Sequence, residues 1–159
     1  MKPASPSQLQ KELILLEQKQ VIELCLRLAK YKKENKELLS YLLFDSINEE
    51  KFIEEVKAEM NELFETMNTD SLYYIRKSVR KILRFTNKYI KYSGQTKTEL
   101  ELRIYFCSRF KASDIPITKS ETLTNIYLGQ VEKIKKTLSK LHEDIQLDYA
   151  KEIESISTL

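Results

Sequence analysis

Helix-breaking residues are almost absent from the interior of this sequence. Its 159 residues include only two glycines and three prolines, and two of the prolines lie within the first six residues. Interruptions of the interior are therefore confined to Gly94, Pro116 and Gly129. Glycine and proline destabilise helices, whereas the abundant Leu, Lys and Glu favour them. The sequence predicts an all-α fold.

The composition of the chain suits one folded domain. Hydrophobic residues make up 42 % and charged residues 32 % of the sequence, which is typical of a globular rather than a disordered chain. We expect residues 1–7 to form a flexible leader and residues 8–159 to form a single helical domain. The sequence has no apolar signal segment and no apolar run of about 18 residues, which predicts a cytoplasmic protein without membrane contact.

Apolar spacing and capping residues divide the chain into about six helices. The expected ranges are 8–32, 35–44, 49–67, 71–92, 99–111 and 119–156. Thr69 or Asp70 is expected to cap the fourth helix, and Gly94 to end it in a left-handed conformation. Three other helix starts have capping-box spacing, namely Ser46 with Glu49, Thr98 with Glu101, and Thr118 with Glu121. The helices pair by length, which is compatible with stacked antiparallel helical hairpins, as in a short α-solenoid, or with an irregular helical bundle.

The fifth segment, residues 99–111, has two possible readings. Its first eight residues alternate between polar and apolar side chains, which is typical of a strand. A lone strand would have no partner elsewhere in this chain, and the later apolar residues also fit helical spacing. We therefore favour a helix.

The last segment carries apolar residues at steps of three and four. Such a long periodic run predicts a long C-terminal helix, either unbroken or interrupted near residues 144–148, and it resembles a coiled coil. A homodimer through this helix is one expectation. The residues that would form its contact are Tyr127, Val131, Ile134, Leu138, Leu141 and Ile145.

Positive charge is concentrated in the middle of the chain. Residues 73–111 contain 11 Lys/Arg and two acidic residues, a local net charge of +9, although the whole chain carries only +3. Residues 1–72 carry −4 and residues 112–159 carry −2. On the fourth helix the cations form one exposed row, which we call the basic ridge. Its members are Arg76, Lys77, Arg80, Lys81, Arg84, Lys88 and Lys91.

The basic ridge has three possible counterparts. The preceding helix is acidic, with a net charge of −7 over residues 45–70, so the two helices could neutralise each other. An acidic segment of another protein is the second counterpart. Nucleic acid is the third, since Tyr73, Tyr74, Tyr89 and Tyr92 lie nearby and can stack on bases. The modest pI of 8.7 speaks against a dedicated nucleic-acid binder, so an acidic protein segment is the favoured partner and nucleic acid the alternative.

Residues for catalysis or cofactor binding are scarce. The single histidine, His142, has no evident nucleophile beside it, and we expect it to be solvent-exposed. Cys25 and Cys107 lack CxxC spacing and are expected to be buried reduced thiols. Two glycines cannot form a phosphate-binding loop. The sequence therefore predicts a non-catalytic protein-interaction or scaffolding module, with no catalytic residue, metal site or cofactor.

Overall fold

Helices provide all the regular secondary structure of residues 2–159, which are the residues that the computed structural model describes. Within this range there are nine α-helices and no strand, which confirms the all-α prediction. They are α1 (Pro6–Ile14), α2 (Gln18–Tyr31), α3 (Lys33–Leu43), α4 (Glu49–Glu65), α5 (Leu72–Ser93), α6 (Thr96–Ala112), α7 (Glu121–Leu138), α8 (Glu143–Asp148) and α9 (Ala150–Ser157). Short 3-10 turns cover Asp45–Ile47 and Ile117–Lys119.

The chain divides into two compact units. The first ends at Phe44 and contains α1 to α3, and the second, Asp45–Leu159, contains α4 to α9. This division does not coincide with the expected leader over residues 1–7 and single domain over residues 8–159. The first helix already begins at Pro6, because Ser5 caps it by accepting a hydrogen bond from the backbone N–H of Gln8 at 3.3 Å.

The nine helices exceed the expected six because two expected helices are broken. The first breaks at residues 15–17, where Glu17 is extended with φ −68° and ψ 151°. The Gln20 side chain accepts a hydrogen bond from the Glu17 backbone N–H at 2.9 Å and so starts α2. Local capping ends one helix and starts the next, although leucines continue through the break and hide it from a periodicity analysis.

The expected long C-terminal helix is replaced by three shorter ones. α7 ends at Leu138, before the break expected near residues 144–148, and α9 packs against α6. The Tyr127 hydroxyl donates a 2.8 Å hydrogen bond to the Ile156 carbonyl, and the Ile156 side chain is buried. The end of the chain therefore returns to the core of the second unit.

α6 lies at the centre of the second unit and contacts α4, α5, α7 and α9. This confirms the helical interpretation of residues 99–111, and it explains the strand-like alternation. A helix with neighbours on all sides carries apolar residues all round rather than on one stripe. Its buried side chains are Thr98, Leu100, Leu102, Arg103, Ile104, Phe106, Cys107 and Phe110.

Four of the expected helix caps are wrong. Asn48, not Ser46, caps α4, with its side-chain oxygen accepting from the Lys51 N–H at 3.1 Å. Ser71 caps α5, one residue after Asp70. Thr98 lies inside α6, where its hydroxyl donates to the Glu49 carboxylate instead of capping. Ser120 replaces Thr118 at the start of α7. In each case a neighbouring polar residue occupies the position immediately before the first helical residue.

Candidate functional site

The basic ridge occupies the outer side of α5. The opposite side of this helix is buried against the core of the second unit. The buried residues are Ile75, Val79, Ile82, Thr86 and Ile90. Five ridge residues are exposed, namely Lys77, Arg80, Lys81, Arg84 and Lys91, while Arg76 and Lys88 are half-buried. The packing of α5 therefore turns the ridge toward water.

Four ridge residues line one groove of about 490 Å³. They are Arg76, Lys77, Arg80 and Arg84. Tyr73 of α5 and Thr122 of α7 complete the lining. Thr122 is the second residue of α7, and the first backbone N–H groups of a helix have no partner within the helix. The groove thus combines four side-chain cations with the first turn of α7, which also carries the acidic Glu121.

The other three ridge residues lie outside the groove lining. Lys81 and Lys91 are exposed. The Lys88 ammonium lies 4.6 Å from the centroid of the Tyr89 ring, 6.0 Å from that of Phe85 and 5.9 Å from that of Tyr92. Such cation–π contacts stabilise the cation within its own helix. The seven expected binding residues therefore all lie on α5, but only four of them line the groove.

Three ion pairs join α4 to α6. Lys57 of α4 lies 2.7 Å from Glu101, Glu50 of α4 lies 3.7 Å from Lys97, and Glu65 of α4 lies 4.0 Å from Arg109. The last two pairs are loose and solvent-accessible, so they contribute little energy. Glu54 and Glu55 pair instead with Lys57 and Lys51 of α4 itself.

The groove cations have no such counter-ions. Within residues 2–159 no carboxylate lies within 4.0 Å of Arg76, Lys77, Arg80 or Arg84. Mutual neutralisation of the third and fourth expected helices is therefore not found at these four residues. Arginine offers a planar fork of donors that matches a carboxylate or a phosphate, and lysine adds a point charge. The groove is chemically suited to an anion.

A second polar cleft lies between α4 and α6, but its charges are paired internally. It is lined by Glu50, Ile53, Glu54, Lys97 and Glu101. Burial acts to lower the pKa of Lys57, yet hydrogen bonds to Glu101 and Glu54 outweigh burial and raise that pKa above its usual value. Burial acts to raise the pKa of Glu101, and hydrogen bonds from Lys57 and Tyr149 lower it overall. This cleft is a structural ion-pair network.

The single histidine does not face a nucleophile in the described chain. His142 is exposed and precedes α8, where its Nδ1 accepts a hydrogen bond from the Asp144 backbone N–H at 3.4 Å. Its Nδ1 also lies 3.3 Å from the Asp144 carboxylate. These contacts give the imidazole a capping role. Cys107 is buried as expected, but the prediction for Cys25 is wrong, because its side chain is exposed.

The residues expected to mediate self-association do not form one exposed row. Tyr127, Val131 and Ile134 are buried within the second unit. Leu138 and Leu141 are half-buried, and Ile145 is exposed beyond the end of α7. Because α7 ends at Leu138, the heptad pattern does not continue along one helix face. Half of this row is already used in packing its own chain.

One lining residue of the groove was absent from the sequence-based expectation. Thr122 is distant in sequence from α5, and only the packing of α7 beside α5 brings the two together. The sequence indicated the position of Thr122 only weakly, because it predicted the helix cap at Thr118 rather than at Ser120. Tyr73, whose ring the sequence places beside the ridge, also lines the groove.

Other kinds of site give negative findings. Within the described range, no group of three or more His, Cys, Asp or Glu side chains is arranged to hold a metal ion. No helix of residues 2–159 is both long and apolar enough to cross a bilayer.

In comparisons with protein-family models, with curated proteins and with solved structures, no match to this chain was found. The binding chemistry of the groove is the remaining guide to function.

Proposed function

We propose that this protein is a non-catalytic binding module whose groove on α5 binds an acidic segment of another protein. The observation that supports this is the lack of a carboxylate beside Arg76, Lys77, Arg80 and Arg84 within the described residues. Like charges held close together repel one another, and bound carboxylates relieve that repulsion. An exposed cation cluster of this kind favours an anionic partner.

The spacing of the arginines suits an extended acidic peptide. Arg76, Arg80 and Arg84 recur every fourth residue of α5, which places them about 6 Å apart along the helix axis. In an extended peptide, side chains on one face recur about every 6.8 Å. Acidic residues at alternate positions would therefore meet successive arginines. The Tyr73 ring offers an apolar contact at one end of the row.

The charge of the second unit favours a protein partner over nucleic acid. Residues 45–159 contain 19 Lys/Arg and 19 Asp/Glu, so the positive potential is local to the groove. Nucleic-acid binders usually extend a positive surface over the whole domain. Single-stranded nucleic acid remains the alternative, supported by the exposed Tyr73 and Tyr74, whose ring centroids lie 5.3 Å apart and which can stack on bases.

Fluorescence anisotropy with two labelled probes tests the proposal. One probe is a short peptide in which glutamate alternates with serine, and the other is a single-stranded oligothymidylate. We expect the wild-type chain to bind the peptide more tightly. The variant carrying Arg76→Gln, Arg80→Gln and Arg84→Gln should weaken peptide binding at least about tenfold, because three ion pairs of about 0.5 kcal/mol each are lost.

A matched control removes the same charge elsewhere. Lys133→Gln, Lys136→Gln and Lys140→Gln change three exposed cations at and after the end of α7, and peptide affinity should stay within about twofold. Equal weakening by both triple variants would mean that net charge alone drives binding, and the groove proposal would then be wrong. Tighter binding of the oligonucleotide, with a steep loss of affinity as salt rises, would favour the nucleic-acid alternative.

A further inference from the structure

The helix α2 of the first unit has a wide apolar side, yet it has no buried residue. The structure describes every residue of this helix and none is buried. Ile22, Leu24, Leu26 and Leu28 are between 40 % and 62 % exposed. Contiguous exposed apolar surface of this kind marks an interaction site, because water disfavours it. The large apolar side chains of α2 therefore remain accessible to water.

An open apolar groove runs between α2 and α3. Cys25, Leu28 and Ala29 line it from α2, and Leu38 and Leu39 line it from α3. Its volume is about 330 Å³. The Asn35 side chain donates a 2.9 Å hydrogen bond to the Leu28 carbonyl and so fixes the junction between the two helices. The groove continues the apolar side of α2.

The apolar positions of α2 are symmetric about Cys25. In an antiparallel pair of identical helices, the residue n positions before the two-fold axis faces the residue n positions after it. Around Cys25 the matches at one, three and four positions are apolar, and the match at two positions is Glu23 with Arg27. The apolar matches are Val21 with Ala29, Ile22 with Leu28, and Leu24 with Leu26. All six lie within about 100° of Cys25 around the helix axis, while Glu23 and Arg27 lie on the opposite side.

The charges of this segment favour the antiparallel direction. Residues 17–23 carry two Glu and one Lys, whereas residues 27–33 carry four Lys/Arg and no acid. A parallel pair would bring the two basic halves together, which is repulsive. An antiparallel pair places each basic half beside the slightly acidic half of the other helix, and it also opposes the helix dipoles.

We infer that the first unit pairs with a second copy of this chain, with the two α2 helices antiparallel across a two-fold axis at Cys25. Twelve large apolar side chains of the described part of this unit are exposed. The pairing uses no residue of the groove on α5. A failed test of the pairing therefore leaves the proposed function unaffected, and the reverse also holds.

Sedimentation equilibrium of the full chain tests the pairing. We expect a mass of twice the 18.8 kDa of one chain. Leu28→Glu should return the mass to that of one chain, because it places two charges beside the axis. The matched control is Leu147→Glu in α8, since Leu147 is 73 % and Leu28 is 62 % exposed, and this control should remain dimeric. A single-chain mass for the wild type would overturn the inference, as would a dimer that Leu28→Glu leaves intact.

Thiol cross-linking tests the register without disturbing the helix. Diamide accepts two hydrogens as two thiols join in a disulfide, and Cys25 is exposed while Cys107 is buried. We expect a covalent dimer from the wild type and from Cys107→Ser, and none from Cys25→Ser. A non-covalent dimer that yields no Cys25 cross-link would refute the axis at Cys25. A dimer mass retained by Cys25→Ser, together with the cross-link in the wild type, supports it.

Discussion

The Lys57 ammonium lies 2.7 Å from the Glu101 carboxylate, and this contact joins α4 to α6. The other oxygen of Glu101 accepts a 2.8 Å hydrogen bond from the Tyr149 hydroxyl, which lies between α8 and α9. Three segments of the second unit therefore meet at one carboxylate. This ion pair and hydrogen bond fix α4 and the α8–α9 junction against α6.

Replacing Glu101 should make stability less dependent on acid pH. The pKa of Glu101 is lowered in the folded state, so its contribution is present above its ordinary pKa and is lost as the pH falls through the lowered value. Glu101→Gln should cost about 1–2 kcal/mol of unfolding free energy at neutral pH, between the values for exposed and buried pairs. Urea unfolding from neutral to acid pH measures this, and the two proteins should converge in acid.

The pKa of Lys57 and a control substitution at Glu59 separate the effect of Glu101 from other causes. Lys57 has a raised pKa, so its contribution is present below its ordinary pKa and is lost only as the pH rises through the raised value, which leaves the acid branch to Glu101. Glu59→Gln changes an exposed acid of the same α4 and should leave the curve unchanged within about 0.5 kcal/mol. A constant difference between Glu101→Gln and wild type at every pH would contradict the ion-pair explanation.

Arg103 should be among the most sensitive positions of the core. Its side chain is only 7 % exposed, and its Nε donates to Glu99 at 2.9 Å. Its Nη1 donates to Asn87 at 3.1 Å and to Gln130 at 2.6 Å. Arg103→Met leaves these acceptors without their donor, so we expect a loss of about 2–4 kcal/mol in chemical denaturation. Arg80→Met, on the exposed ridge, should change stability by no more than about 0.5 kcal/mol.

The sequence predicted the outward face of α5 because a helical period of 3.6 residues separates its cations from Ile75, Val79 and Ile82. It also predicted the C-cap at Gly94, which has φ 65°. The sequence did not predict the end of α7 at Leu138, since Ser139 and Lys140 are compatible with helix. The helix breaks there because α9 packs back against the core. Local periodicity does not encode such long-range contacts.

The candidate groove was predictable on one side only. Arg76, Arg80 and Arg84 share a face of one helix, so their spacing alone places them together. Thr122 joins them through the packing of α7, which depends on the shape of the core. The sequence did not predict the exposure of Cys25, because apolar neighbours in sequence usually indicate burial, whereas no residue of α2 is buried.

Cys107 should be chemically silent in the folded protein. Burial raises the pKa of its thiol to about 12, although the charge of Arg103 acts in the opposite direction. Only a thiolate reacts rapidly with iodoacetamide, so the Cys25→Ser variant should show almost no labelling at mildly alkaline pH and full labelling in urea. Mass spectrometry of the alkylated chain measures this. Labelling of the native variant at the rate of a free thiol would contradict the burial of α6.

The two glycines should respond to alanine with opposite signs. Gly94 ends α5 at φ 65° and ψ 3°, and its N–H donates a 2.9 Å hydrogen bond to the Ile90 carbonyl. A methyl group there meets no atom within 4 Å, so the expected cost of about 1 kcal/mol for Gly94→Ala is backbone strain alone.

Gly129 lies inside α7 and also has open space around the added methyl group. Gly129→Ala should stabilise the protein by about 0.5–1 kcal/mol, because alanine restricts the unfolded chain and favours the helix. Thermal unfolding of the two variants should shift Tm down for Gly94→Ala and up for Gly129→Ala, by about 2–4 °C each. A decrease for both would mean that α7 does not run through residue 129 as a regular helix, and that the groove wall containing Thr122 is placed differently.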